Sequence, residues 1–160
     1  MQATATMSDN RTTMIDLFWP YIRARRSDDP QELRALSFSD CEPIRRCVAA
    51  NPYTPADVVE ELALDWNPDV RAAVASNPRA TYKAIHSLAQ DSEKEVRLAV
   101  ARELDRYLDI LQLLASDKHQ DVAKAARQTL HMVAASKGTA GRDNVLSLHV
   151  AGADNQKKSA

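Results

Sequence analysis

Apolar residues in the middle of the chain fall in short clusters at helical spacing. Val58, Val59 and Leu62 stand at i, i+1 and i+4, one face of a helix whose other face carries Asp57, Glu60 and Glu61. Thr54 is placed to cap that helix and Pro55 to open it, because a proline at the first helical position gives up no needed hydrogen bond. The pattern stops near Asp65, and Trp66-Asn67-Pro68 reads as a turn. A second cluster, Val70, Ala73 and Val74, follows Asp69, whose carboxylate suits a helix N-terminus. Asn77-Pro78 closes it, since the residue before a proline avoids the α region. Helices of about ten residues are only about 15 Å long and are not stable alone. Each pair has to bury its apolar face against neighbours.

The neighbours are written into the chain. A step of 26 residues carries Ile44 to Val70, Val96 and Val122, and Val48 to Val74, Val100 and Ala126. It also carries Leu36 to Leu62, Leu88 and Leu114, and Leu33 to Val59, Ile85 and Leu111. Polar columns keep the same step: Arg45, Arg71 and Arg97; Asp65, Asp91 and Asp117; Asn51-Pro52 and Asn77-Pro78. Stacked two-helix units of this kind form an α-solenoid. The expected organisation is an N-terminal segment, 1–26, with a capping helix at Thr12–Arg25 offering Ile15, Leu17, Phe18, Trp19 and Ile22 to the first unit. About four units then fill 27–136, and a disordered tail occupies 137–160, with Val145–Val150 as a short segment inside it. In the third unit Glu103-Leu104 replaces Asn-Pro, leaving open whether the helices run together or break at Asp105.

Composition narrows the class. Aromatic residues are 5% of the 160 and glycines number three, too few for the Gly-rich turns of nucleotide-binding α/β folds or the many turns of β-sandwiches. The formal net charge is −1. Counted in thirds, residues 1–52 are neutral, 53–104 acidic and 105–160 mildly basic, so no segment is the basic stripe of a dedicated nucleic-acid binder. Cys41 and Cys47 are too few for a disulfide scaffold and lack the paired spacing of a zinc site. No apolar run approaches the roughly 20 residues of a membrane span or forms a leader. The expected location is the cytoplasm.

The string Val70-Arg71-Ala72-Ala73-Val74-Ala75-Ser76-Asn77-Pro78 resembles the leucine-rich repeat variant family, which is HEAT-like in style. So does Asn51-Pro52-Tyr53-Thr54-Pro55-Ala56-Asp57-Val58-Val59-Glu60-Glu61-Leu62-Ala63. The resemblance is strongest in units two and three, partial in unit one and least in unit four, and it covers roughly two-thirds of the chain. It implies an all-α, right-handed superhelix of alternating helices, with the second helix of each unit short enough to be 3₁₀. It also implies a binding scaffold with no catalytic residues. One type of family member holds an iron–sulfur cluster on N-terminal cysteines; this chain has none before Cys41, so no cofactor or metal is carried over.

A residue type that recurs in successive units serves the stack, which assigns Arg45, Arg71, Arg97, Asp65, Asp91 and Asp117 to caps and inter-repeat ion pairs. An Arg ladder able to hold phosphates is the other reading. Residues that break the pattern are the better binding candidates. Trp66 stands where other units have Asp40, Ser92 and Lys118; it is either a hot-spot anchor or a lid over a neighbouring turn. On the second helices the outward columns are Arg46, Ala72, Leu98, Lys124 and Ala50, Ser76, Arg102, Gln128. Arg46, Leu98, Arg102 and Lys124 join Trp66 as partner-binding candidates, while Tyr53, Tyr82 and Tyr107 read as packing residues and Cys47 as a core thiol. No nucleophile motif, P-loop or metal-binding HExxH is present. The expected function is non-catalytic binding of another protein, as an adaptor or regulator. The alternative is a nucleic-acid binder, simple or DNA-glycosylase-like, working through Arg45, Arg46, Arg71, Arg97 and Arg102.

Overall fold

The computed structural model describes the backbone of residues 14–103 and 106–149, and the side chains of 18–103 and 106–136. These residues are all-helical. The order is α1 (Met14–Arg26), α2 (Pro30–Ser37), α3 (Glu42–Ala50), α4 (Ala56–Leu62), α5 (Pro68–Ala75), α6 (Tyr82–Leu88), α7 (Lys94–Glu103), α8 (Leu108–Leu114) and α9 (Gln120–His149). Local chemistry sets the starts. Asp29 accepts from the Gln31 amide ahead of Pro30, Asn67 from the Asp69 amide ahead of Pro68, and Thr81 from the Ala84 amide. Thr54 does not cap as expected: its hydroxyl turns back to donate to the Val48 carbonyl at 2.6 Å, and the residue is wholly buried. Pro55 occupies the cap position instead, without a side-chain bond. The connections need no glycine, because no described residue has a positive φ.

Two layers result. α1, α3, α5, α7 and α9 pack consecutively, each on the next, while α2, α4, α6 and α8 line the other side against their neighbours in that row. The core lies between them, built from the repeating columns. Ile44, Val70, Val96 and Val122 are buried, as are Val48, Val74, Val100 and Ala126 from one layer and Leu33, Val59, Ile85 and Leu111 from the other.

Further expectations need correction. The second helices are not the short ones: α3, α5 and α7 are α-helices of 9, 8 and 10 residues, against 7 each for α4, α6 and α8. Their buried residues recur at i and i+4 (Ile44/Val48, Val70/Val74, Val96/Val100), the spacing of an α-helix, whereas 3₁₀ geometry would align i with i+3. Tight i→i−3 bonds close the helix ends instead, as from the Leu64 amide to the Glu61 carbonyl and from Asp65 to Leu62. In α1, Phe18 and Trp19 are exposed; the helix packs on α3 through Ala24, fully buried, and Tyr21. A small residue fits there because α1 takes the place of a second helix in the row, where close approach favours alanine. The side chains of Ile15 and Leu17 lie outside the described residues. Cys47 is half-buried rather than in the core. Finally, α9 continues to His149, past the expected end of structure at 137. That stretch holds no proline, and a glycine costs a helix only about 1 kcal/mol. Asp105 and 150–160 lie outside the described residues.

Candidate functional site

Two surfaces carry the candidate residues. The first is the edge where each first helix turns into the second. Here each Arg of the repeating column reaches the Asp of the next unit, twenty residues on. Arg45 Nε donates to Asp65 Oδ2 at 2.7 Å and Nη2 to Oδ1 at 3.1 Å. Arg71 meets Asp91 at 2.7 and 2.9 Å, and Arg97 meets Asp117 at 2.7 and 3.2 Å. The third guanidinium nitrogen is used too: Nη1 donates to the carbonyls of Ser39 and Asp40, of Asp65 and Trp66, and of Asp91 and Ser92 respectively. Each Asp also accepts the amide two residues on, from Asn67, Glu93 and His119. This fork-on-carboxylate arrangement, repeated three times, pins unit to unit.

The pairs are largely buried, and that sets their electrostatics. Hydrogen bonding to Asp65 and Asp91 raises Arg45 and Arg71 above the ordinary guanidinium range, and Asp117 does so for Arg97. Burial disfavours the ionised forms of Asp65 and Asp91, but bonds from Arg45 or Arg71 and from a backbone amide outweigh it and hold both carboxyls below their usual range. Asp117 is lowered chiefly by its bond to Arg97. The ladder ends cleanly: Ser39 stands in place of a first Asp and accepts the Cys41 amide, while Ala123 follows Arg97 in the Arg column. With every guanidinium engaged, Arg45, Arg71 and Arg97 have no free fork for a phosphate.

Trp66 sits on this edge and is 75% exposed, with the Arg45 guanidinium carbon 5.1 Å from its ring centroid. The ring therefore roofs the first ion pair and still offers most of its area to solvent. Phe38 and Leu64, one unit apart at the ends of α2 and α4, are exposed beside this turn.

A second ladder lies where second helices hand over to the next unit. Asn51 Nδ2 donates to the carbonyls of Ala24 and Ser27 at 2.9 Å each, and Asn77 Nδ2 to those of Ala49 at 2.7 Å and Asn51 at 2.9 Å. Both side chains are buried, and their Oδ1 atoms accept the Tyr53 and Arg79 amides. The sequence marks these residues only as helix stops; the clue to more was that asparagine, not just proline, keeps the period. Where Glu103 replaces the next Asn, Arg106 donates to the carbonyls of Asn77, Pro78 and Ala80.

The other surface is the outer face of the second helices, and it gathers the remaining four candidates. One groove of about 480 Å³ is lined by Leu98 and Arg102 of α7 with Asp121, Lys124, Ala125, Gln128, Thr129 and Met132 of α9. Another, of about 520 Å³, is lined by Tyr21 and Arg25 of α1, Arg46, Cys47 and Ala50 of α3, Asn51 and Pro52 just after α3, and Ala73 of α5. Arg46 and Lys124, Ala50 and Gln128, and Ala73 and Ala125 are pairwise related by the 26-residue step or its multiples, so both grooves belong to one face. Leu98, expected to point outward, is half-buried because the groove wall of α9 covers part of it. Charge divides by layer. Taken together, α2, α4, α6 and α8 carry more carboxylates than Lys or Arg (Asp57, Glu60, Glu61 and Asp109 among them). The cationic excess of the second helices is supplied by Arg45, Arg71 and Arg97, which are already paired with Asp65, Asp91 and Asp117.

The tyrosines are not all packing residues. Tyr53 and Tyr82 are exposed; Tyr82 meets Tyr107 edge-on at 5.1 Å and donates its hydroxyl to Asp109 at 2.5 Å. Among the described residues no three His, Cys, Asp or Glu side chains group as metal ligands would, and no helix is long and apolar enough to cross a membrane. No family model, curated protein or solved structure matches the chain.

Proposed function

We propose that this chain is a non-catalytic repeat scaffold, a right-handed α-solenoid of the leucine-rich repeat variant or HEAT-like kind, that binds another protein in the cytoplasm as an adaptor or regulator. The observation that carries the reading is a division of labour within the 26-residue unit. Columns facing the next unit are constant and bonded to it, whereas outward columns change freely from Arg46 to Ala72, Leu98 and Lys124. A surface that varies while its support does not is the arrangement of a recognition face on a rigid frame. Arg45, Arg71 and Arg97 are spent on carboxylates, which weighs against the nucleic-acid alternative that needs them.

Affinity purification from the native host with the wild-type chain, Trp66→Ala and Arg46→Glu tests it. A protein retained by the wild type and reduced severalfold by at least one variant is the expected result. A folded wild-type chain that retains no protein removes the scaffold reading. A parallel titration with duplex DNA should show no binding at low salt; an affinity that falls steeply with salt would replace protein binding with nucleic-acid binding.

A further inference from the structure

We infer that the second-helix face receives an extended, acidic segment of the partner protein, with carboxylates gathered near two ends and a neutral stretch between them. This rests on the scaffold reading and adds the chemistry of what is bound. The face has cations at both ends and none at the outward positions of α5 in its middle. At one end Arg25 and Arg46 border a groove whose lining includes no carboxylate. At the other, Arg102 and Lys124 border the second groove, with Asp121 as its single acidic lining residue. Arg25, Arg102 and Lys124 form no ion pair among the described residues, and Arg46 holds Glu42 across one helical turn at 3.5 Å. Cations that outnumber the carboxylates at the rims of partly apolar grooves attract anionic groups more strongly than they would on an open surface.

The middle of the face is different. There α5 presents Ala72, Ala73 and Ser76, small and neutral, with the exposed carboxylate of Asp69 one turn before Ala72. Such a waist lets a backbone come close, and Asp69 repels an acidic side chain placed there. Duplex nucleic acid carries a charge about every 1.7 Å of its axis, so it would lay phosphates along this stretch and against Asp121. A peptide can place its charges only where the cations are.

The helix row sets the spacing. Packed helices lie about 8–10 Å apart, so the three steps from α3 to α9 cover roughly 24–30 Å. An extended chain rises about 3.3 Å per residue and crosses that distance in roughly eight residues. A helical segment, at about 1.5 Å per residue, would need about eighteen.

The test is fluorescence anisotropy at low salt on the full chain. The probes are labelled synthetic peptides with two glutamates at each end and neutral spacers of two, eight or eighteen residues, plus an eight-residue-spacer peptide with glutamine for every glutamate. The eight-residue spacer should bind at least about tenfold more tightly than the two-residue spacer or the glutamine peptide, because both ends then engage one molecule. Arg46→Glu and Lys124→Glu should each weaken it about tenfold. Both positions are exposed, and far-UV circular dichroism verifies that the variants fold. Equal affinity for all spacers, preference for the eighteen-residue spacer, undiminished binding of the glutamine peptide, or tighter binding of duplex DNA each overturns the inference. If a native partner binds Arg46→Glu and Lys124→Glu as well as wild type, the scaffold reading stands and this inference fails. If no partner is retained at all, the scaffold reading fails with it.

Discussion

Removing Arg71 should do far more damage than removing the arginine at the outward position of the same kind of helix. Arg71 and Asp91 are 14% and 9% exposed at their side chains. Arg71→Ala takes two N–H donors from Asp91 and one from the Asp65 carbonyl, and leaves a buried carboxylate with the Glu93 amide and the Ser92 hydroxyl as its remaining donors. Breaking a buried pair by deleting one partner costs about 3–5 kcal/mol. The surviving amide bond and the nearness of the edge to water put this case at the lower end, about 3 kcal/mol, against a total stability of about 5–15 kcal/mol for a typical domain. With a urea slope of about 2 kcal/mol/M, the midpoint should fall by about 1.5 M. Arg46→Ala is the internal control: its pair with Glu42 is half exposed and 3.5 Å long, so its loss should cost less than about 0.5 kcal/mol. A double-mutant cycle with Asp91→Ala should return a coupling of at least about 1 kcal/mol. Because each unit touches only its neighbours, the lesion between units two and three should also broaden the transition, as the two halves begin to unfold separately. A loss below about 1 kcal/mol with negligible coupling would refute the claim that this ladder holds the units together.

Asn77→Ala should cost about 2–4 kcal/mol in urea melts, since it strands the buried carbonyl of Ala49, takes one of two donors from that of Asn51 and removes the acceptor of the Arg79 amide; a loss under about 1 kcal/mol would mean that water replaces the side-chain amide. Trp66→Ala should change stability by no more than about 1 kcal/mol, the scale of an exposed cation–π contact, so that any loss of partner binding is separable from unfolding; a drop above about 2 kcal/mol would make the ring a structural lid. The folded carboxyls of Asp65, Asp91 and Asp117 lie below the unfolded value of about 3.9, so the unfolded chain takes up protons first as acid is added. Their contribution is complete above about pH 5 and is lost as pH falls below about 4 through the folded values. Thermal melts should therefore show a flat midpoint from pH 5 to 7 and a decline below; a decline centred near pH 6 would point to histidines instead.

The sequence determined the all-helical class, the unit length, the apolar columns and the identity of the ladder residues, because each of these is a periodic property of one chain. Periodicity cannot say which repeat a side chain touches. Arg45 stands five residues from Asp40 and twenty from Asp65, and the stack decides for the distant one by laying α3 beside α5. The same stacking turned Asn51 and Asn77 from helix stops into buried cross-unit donors and placed Cys47 in a groove, whereas Thr54 left its cap for a carbonyl only six residues back. It also sorted the charge. Counted along the chain the charges show no strong stripe, but packing brings Arg25 to Arg46 at one groove and Arg102 to Lys124 at another. The chain encodes the elements and their faces; only packing decides which faces meet, since that depends on neighbours one unit away in space.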